Sequence, residues 1–194
     1  LSTDQVRLFC KESSIKSADY KVTVAEGETE VTKTGLDKIA DAGLRWGNPE
    51  NQHTFYGVYP IPTDNSLKES TKLTGTIPAV QDYEEFTKSD GSYVFAPNMD
   101  YAYMVAKTVV KKPNEIGENV FLKFTPIATA VEIELKNNAN ESGTTYNFRE
   151  IHLSSSNHYL SGSFTANLDN MATGDDNNVE YATGCPTGIE YGGD

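Results

Sequence analysis

The sequence has little cysteine. Cys10 and Cys185, near opposite ends of the chain, are its only two. Two cysteines cannot staple a small disulfide scaffold, and no pair has the spacing of a zinc site. They leave open one disulfide or two separate thiols. Basic residues are also scarce: 16 Lys and Arg stand against 28 Asp and Glu, for a net charge of −12 and a pI near 4.6. Such a surface repels phosphate backbones and anionic bilayers, so nucleic acid is excluded as a partner and electrostatic membrane binding is disfavoured. No segment approaches the roughly 20 apolar residues of a membrane helix. Helix signals are sparse. Residues 36–44 could form one or two turns, with Leu36, Ile39 and Ala40 on one face and Gly43 as a stop; an irregular loop is the alternative.

What the chain does have is strand chemistry. Apolar residues make up only 37 %, but eleven Tyr and eight Phe compensate, because each ring buries a large area. Thr, Val, Tyr and Phe favour strands, and 15 Gly and 8 Pro supply turns between them. Residues 6–10 form a short apolar run. Tyr20, Val22 and Val24 alternate with polar neighbours, and residues 54–59 are apolar on both faces, as a central strand would be. Residues 92–96 end at Pro97, and residues 101–110 form a long run that reads as one strand with a bend or bulge. Phe55, Tyr101 and Tyr103 are expected in the core.

A polar break at residues 111–118, with Pro113 and Gly117, reads as a linker. After it Val120, Leu122 and Phe124 point one way. Val131, Ile133 and Leu135 are expected inward between Glu132, Glu134 and Lys136. Phe148, Ile151 and Leu153 mark another strand, and Leu160, Gly162 and Phe164 a further one; beyond Asp169 the pattern dissolves. The expected fold is all-β: two tandem antiparallel β-sandwiches, residues 1–115 and 116–194, the second short of strands.

No motif for catalysis stands out. His53 begins an aromatic strand and reads as a strand-end residue. His152 and His158 flank a Ser-rich turn without a third ligand. Ser161, Gly162 and Ser163 do not match a nucleophile elbow, and neither cysteine has a histidine beside it. Cys10, in an apolar strand, reads as core. Residues 169–180 carry calcium-type oxygens without the EF-hand order, so a solvated loop is the better reading. Asn140, Glu141 and Ser142 fit a glycosylation triplet, which is common by chance. Trp46, Phe55, Tyr56 and Tyr59 could stack on sugar, but core packing suits them better. The expectation is therefore no enzyme, with no catalytic, cofactor-binding or metal residues and no cofactor.

Residues 44–60 contain a Trp followed by Phe55-Tyr-Gly-Val-Tyr-Pro60, which resembles the "F-Y-x-x-Y-P" stretch of the fimbrillin family of Bacteroides-type bacteria. In the same order come an early strand, Val6-Arg-Leu-Phe-Cys10, then Thr76-Ile-Pro-Ala-Val-Gln81, then Asp100-Tyr-Ala-Tyr103. Val120-Phe-Leu-Lys-Phe124 and Val131-Glu-Ile-Glu-Leu135 are similar to the family's domain-opening strands. Arg7 and Cys10 depart from the family, which is apolar or small there. The resemblance implies two transthyretin-like sandwiches, export as a lipoprotein precursor, removal of an N-terminal piece, and a place on the cell surface, in a fimbrium or at the outer membrane. It implies a structural or adhesive subunit that polymerises by donor-strand insertion. Its partners would be other subunits, joined head to tail, and host or bacterial surface receptors. Leu1 without a signal pattern reads as a processed or trimmed start. The inserted strand is expected opposite or beside residues 6–10. A secreted carbohydrate-binding sandwich is the competing reading.

Overall fold

A computed structural model of the chain describes residues 4–23, 35–39, 43–87, 90–91, 93–111, 113, 119–131, 133, 150–174 and 178–192. The described part is nearly all-β, and every paired strand is antiparallel. In chain order the strands are β1 (Gln5–Cys10), β2 (Ser17–Thr23), β3 (Gly35–Lys38), β4 (His53–Tyr59), β5 (Lys72–Ile77) and β6 (Tyr83–Thr87). They continue with β7 (Tyr93–Pro97), β8 (Met104–Val110), β9 (Thr125–Pro126), β10 (Gly162–Asn167), β11 (Val179–Tyr181) and β12 (Glu190–Gly192). Two 3-10 turns, Met99–Tyr101 and Leu168–Asn170, account for nearly all the described helix. No helix among the described residues is long and apolar enough to cross a membrane.

The larger sheet has seven strands, ordered β11-β8-β4-β1-β2-β3 with β9 also on β8. A three-stranded sheet, β12-β10-β5, packs on one of its faces, and β6 and β7 form a separate hairpin. Direct cross-strand partners share a face of an antiparallel sheet. Phe9 lies opposite Tyr56, and Val58 opposite Val105. These four meet Leu73 of β5 and Phe164 and Ala166 of β10 in a single buried cluster closed by Leu67, Leu168, Met171 and Ala182. Each fully buried Val, Leu or Phe there contributes about 1.5–3 kcal/mol.

The other face of the larger sheet is covered without a sheet. Cys10 lies opposite Phe55, and Phe55 opposite Thr108. Cys10, Phe55 and Val110 pack under Leu44, Trp46, Val120 and Leu122. Thr108 Oγ1 donates to the Phe121 carbonyl at 2.9 Å, which ties residues 119–124 to the sheet. At Gly57 the Phe124 ring comes so close that an added Cβ would stand 2.8 Å from its Cζ. With both faces covered, β1, β4 and β8 are largely apolar on both faces, as residues 54–59 foretold, and the polar residues buried among them, Arg7, His53 and Thr108, are all hydrogen-bonded.

Several expectations are corrected. Residues 35–38 form a strand rather than a helical turn, because β2 offers an open edge on which Leu36 pairs with Val22; residues 40–42 lie outside the described ones. Strand pairing crosses the expected boundary at residue 115: β10 pairs with β5, and β9 and β11 pair with β8. The described strands on either side thus share one core, while most of the expected linker lies outside the described residues. Val131 and Ile133 are not inward but 63 % and 47 % exposed; Leu135 and Phe148 lie outside the described residues. Ile151 and Leu153 are exposed and outside any strand. Beyond Asp169, where the pattern appeared to dissolve, β11 and β12 form; at three residues each they are too short to show a period. Tyr101 ends a 3-10 turn, half-buried, whereas Tyr103 packs against the main cluster.

Candidate functional site

Of the chemistry-bearing residues singled out above, His53 and Cys10 serve the fold. His53 is wholly buried at the start of β4. Gly47 N–H donates to its Nε2 at 3.1 Å, so Nδ1 carries the proton and donates to the Asn51 carbonyl at 2.9 Å. Trp46 meets the His53 and Phe55 rings edge-on, at 5.0 and 5.3 Å between centroids. These aromatics, with buried Tyr56, form core rather than an exposed platform. Cys10 is buried and Cys185 exposed, and both are free thiols. His152 and His158 are both exposed, and the first lies 3.4 Å from Glu150. Among the described residues no three His, Cys, Asp or Glu side chains gather as a metal site would require. Gly162 and Ser163 open β10. Residues 140–142 lie outside the described ones.

The acidic stretch after residue 168 contains a feature that sequence reasoning missed. Tyr56 Oη donates to Asp169 Oδ1. Thr71 Oγ1 lies 2.9 Å from both Asp169 Oδ2 and Asn167 Oδ1. Lys107 Nζ donates to the carbonyls of Asp169 and Met171 at 2.8 and 3.1 Å. Burial and the Asp169 bond push the Tyr56 phenol well above its usual range, and burial pulls Lys107 down. The result is a neutral donor and a cation that latch the Leu168–Asn170 turn across the two sheets. Glu180, at the far end of the stretch, pairs with Lys111. Both carboxylates are therefore engaged with protein groups rather than arranged around a cation.

The sheet edges differ more sharply. β1 is paired on both sides and buried along nearly its whole length, so no strand can be added beside it. Of the two expected positions for an inserted strand, this removes the one beside β1. The outer edge of β5 is closed as well. Leu67 N–H donates to the Lys72 carbonyl at 3.2 Å, Thr74 N–H to Ser66 Oγ at 2.9 Å, and Thr76 N–H to Tyr103 Oη at 3.4 Å.

At the opposite edge of the same sheet, β12 pairs with β10 and with no other described strand. All three of its residues are exposed, and Tyr191 stacks on exposed Tyr159 at 5.7 Å. Tyr159 lies near the end of a stretch, residues 150–160, that is exposed throughout and has no ladder partner among the described residues. In it Ile151 and Leu153 alternate with Glu150, His152 and Ser154. Among the described residues, one chain thus carries a sheet edge without a partner strand and a partly strand-patterned stretch without a sheet.

Comparison with family models, with curated proteins and with solved structures gives no match for this chain.

Proposed function

We propose that this chain is a structural or adhesive subunit of a bacterial fimbrium, joined head to tail to its neighbours by strand insertion. The observation that carries the reading is the outer edge of β12, which no described strand pairs, together with residues 150–160, exposed and without a ladder partner among the described residues, in which Ile151 and Leu153 alternate with polar neighbours. An unpaired edge exposes backbone donors and acceptors and templates the addition of a strand. An inserted strand satisfies those groups and covers apolar residues at once. Edge and stretch are different segments of one chain, so the stretch of one copy laid on the edge of the next makes a heterologous contact, which extends into a filament when its rotation does not close. The fimbrillin-like motif order at residues 6–10, 44–60, 76–81 and 100–103 supports the same reading, and with it an exported, cell-surface location. A net charge of −12 would keep such a subunit dispersed before assembly. The tandem transthyretin-like division belongs to the same family expectation and gains no support from pairing that crosses residue 115.

The test places like charges on the open edge. The chain and its Tyr159→Lys, Tyr191→Lys double variant are concentrated and followed by sedimentation and electron microscopy. The reading expects the parent chain to form linear polymers, and the variant to stay monomeric with a Tm within a few degrees of the parent. A parent chain that stays monomeric, or a variant that polymerises equally well, overturns it.

A further inference from the structure

A second surface is marked by its charge. Between the β1–β2 hairpin and the loop that precedes β5 lies an open cleft of about 610 Å³, lined by Arg7, Ser14, Lys16, Ser17, Ala18, Asp19, Lys68 and Glu69. Three cations face two carboxylates there, a local positive excess on a chain of net charge −12. Arg7 forms part of the lining, and its burial is unusual: only 5 % of it is exposed. Its Nε and Nη2 hold Asp19 at 2.8 and 3.2 Å. Its Nη1 donates to the carbonyls of Pro62, Asp64 and Ser66 at 3.2–3.3 Å. Nη2 carries two N–H groups and bonds one acceptor, so one guanidinium donor is left over among the described residues. The ammonium groups of exposed Lys16 and Lys68 make no ion pair or hydrogen bond among the described residues, and neither does the Glu69 carboxylate.

We infer that this cleft binds an acidic saccharide, a short glycan carrying a carboxylate among hydroxyls. The reasoning is electrostatic complementarity at close range. Lys16, Lys68 and the spare Arg7 N–H can hold a carboxylate. Asp19 and Glu69 in the same cleft repel a doubly charged phosphate but accept hydrogen bonds from sugar hydroxyls. Ser14 and Ser17 add hydroxyl partners; Ser17 Oγ already donates to the Leu67 carbonyl at 2.7 Å and keeps its lone pairs as acceptors. An acidic peptide would bring the carboxylate but few hydroxyls to meet Asp19 and Glu69. The volume lies within the usual range for small-ligand sites. Arg7 and Asp19 are pre-set by the fold, so binding orders only the two lysines. This inference does not rest on the subunit reading, because it concerns the monomer.

The experiment is calorimetric titration of the monomeric Tyr159→Lys, Tyr191→Lys chain, or of the parent chain at low concentration, with trigalacturonate. Maltotriose serves as a neutral control, and a triglutamate peptide and inorganic phosphate as anionic ones. Trigalacturonate should bind at least tenfold more tightly than each of the other three, and Lys16→Ala with Lys68→Ala should weaken it at least tenfold. Glu69→Gln should weaken the saccharide without strengthening maltotriose. Both lysines and Glu69 are exposed, so these variants keep the fold. No binding of trigalacturonate, equal binding of maltotriose, tighter binding of triglutamate or phosphate, or an unchanged affinity in the double lysine variant would each overturn the assignment.

Discussion

The β4–β8 pair and the described residues between 119 and 160 both carry strand-like apolar patterning, yet among the described residues only the first is built into a long ladder. Seven consecutive cross-strand partners join β4 to β8, from His53 opposite Val110 to Tyr59 opposite Met104. In the second region Val120, Leu122 and Phe124 do turn toward the protein, while Phe121 and Lys123 turn away. They make no ladder beyond the two-residue β9 that follows. Further on, Val131, Ile133, Ile151 and Leu153 turn to solvent. Alternation of side chains states which residues want one face. It does not state that a partner strand is present to hold the backbone.

The largest effect expected from this contrast is at Phe164. Its ring fills the space between the sheets, 5.0 Å from Tyr103 and edge-on to it. Phe164→Ala should cost about 3–5 kcal/mol, the transfer term plus the cavity left behind. Denaturant unfolding measures it directly. A loss below about 1 kcal/mol would mean that residues 162–167 are not part of the same core as β1, β4 and β8 and would restore a boundary between the halves.

A smaller effect separates the two faces of the larger sheet by pH. Burial, reinforced by the Glu12 carboxylate, pushes the Cys10 thiol up from 9.0 to about 12. A thiol that keeps its proton longer when folded contributes stability that is whole below pH 9 and is lost as pH rises toward 12. Tyr56 is also raised, mainly by burial, and acts in the same direction, but only above pH 10, where an unfolded phenol begins to ionise. Lys107, lowered by burial, works the opposite way below its ordinary 10.5. The Tm of the parent chain should therefore fall between pH 9 and pH 10, and Cys10→Ala should flatten that fall. An unchanged slope in the variant would mean that residues 44–46 and 119–124 do not exclude water from this face.

How much of this was legible depends on the distance over which each residue acts. β1, β4 and β8 could be read because their apolar runs are local and their burial on both faces leaves few polar residues to interrupt them. Arg7 appeared only as a departure from an apolar pattern. Its role depends on carbonyls of residues 62, 64 and 66, brought over it by a loop no periodicity predicts. The Tyr56–Asp169 latch joins residues 113 positions apart. β11 and β12 are too short for a pattern, and the helical turn or loop expected from residue 36 gave way over residues 35–38 to the pairing edge of β2, a tertiary influence that overrides weak local preference. The cleft was invisible for the same reason: Lys16 and Lys68 are ordinary surface residues until the fold sets them around Arg7 and Asp19.

The smallest monomer effect should come from a stretch with strand patterning but no strand, residues 150–160. Ile151 and Leu153 are 49 % and 62 % exposed, and residues 150–160 carry no ladder. Replacing both with serine removes apolar area that is already largely in water, so the unfolding free energy should change by less than about 0.5 kcal/mol. In an assembled chain the same residues would be covered by a neighbour, and each side chain then buried would contribute about 1.5–3 kcal/mol to the contact. The double variant should accordingly unfold like the parent as a monomer while its polymers dissociate at lower denaturant or fail to form. Two measurements on one protein, chemical unfolding at low concentration and sedimentation at high concentration, separate these contributions. A monomer loss comparable to that of Phe164→Ala would show that residues 150–160 belong to the core after all. An unaltered polymer would show that apolar alternation in this stretch has no partner to meet, within the chain or outside it.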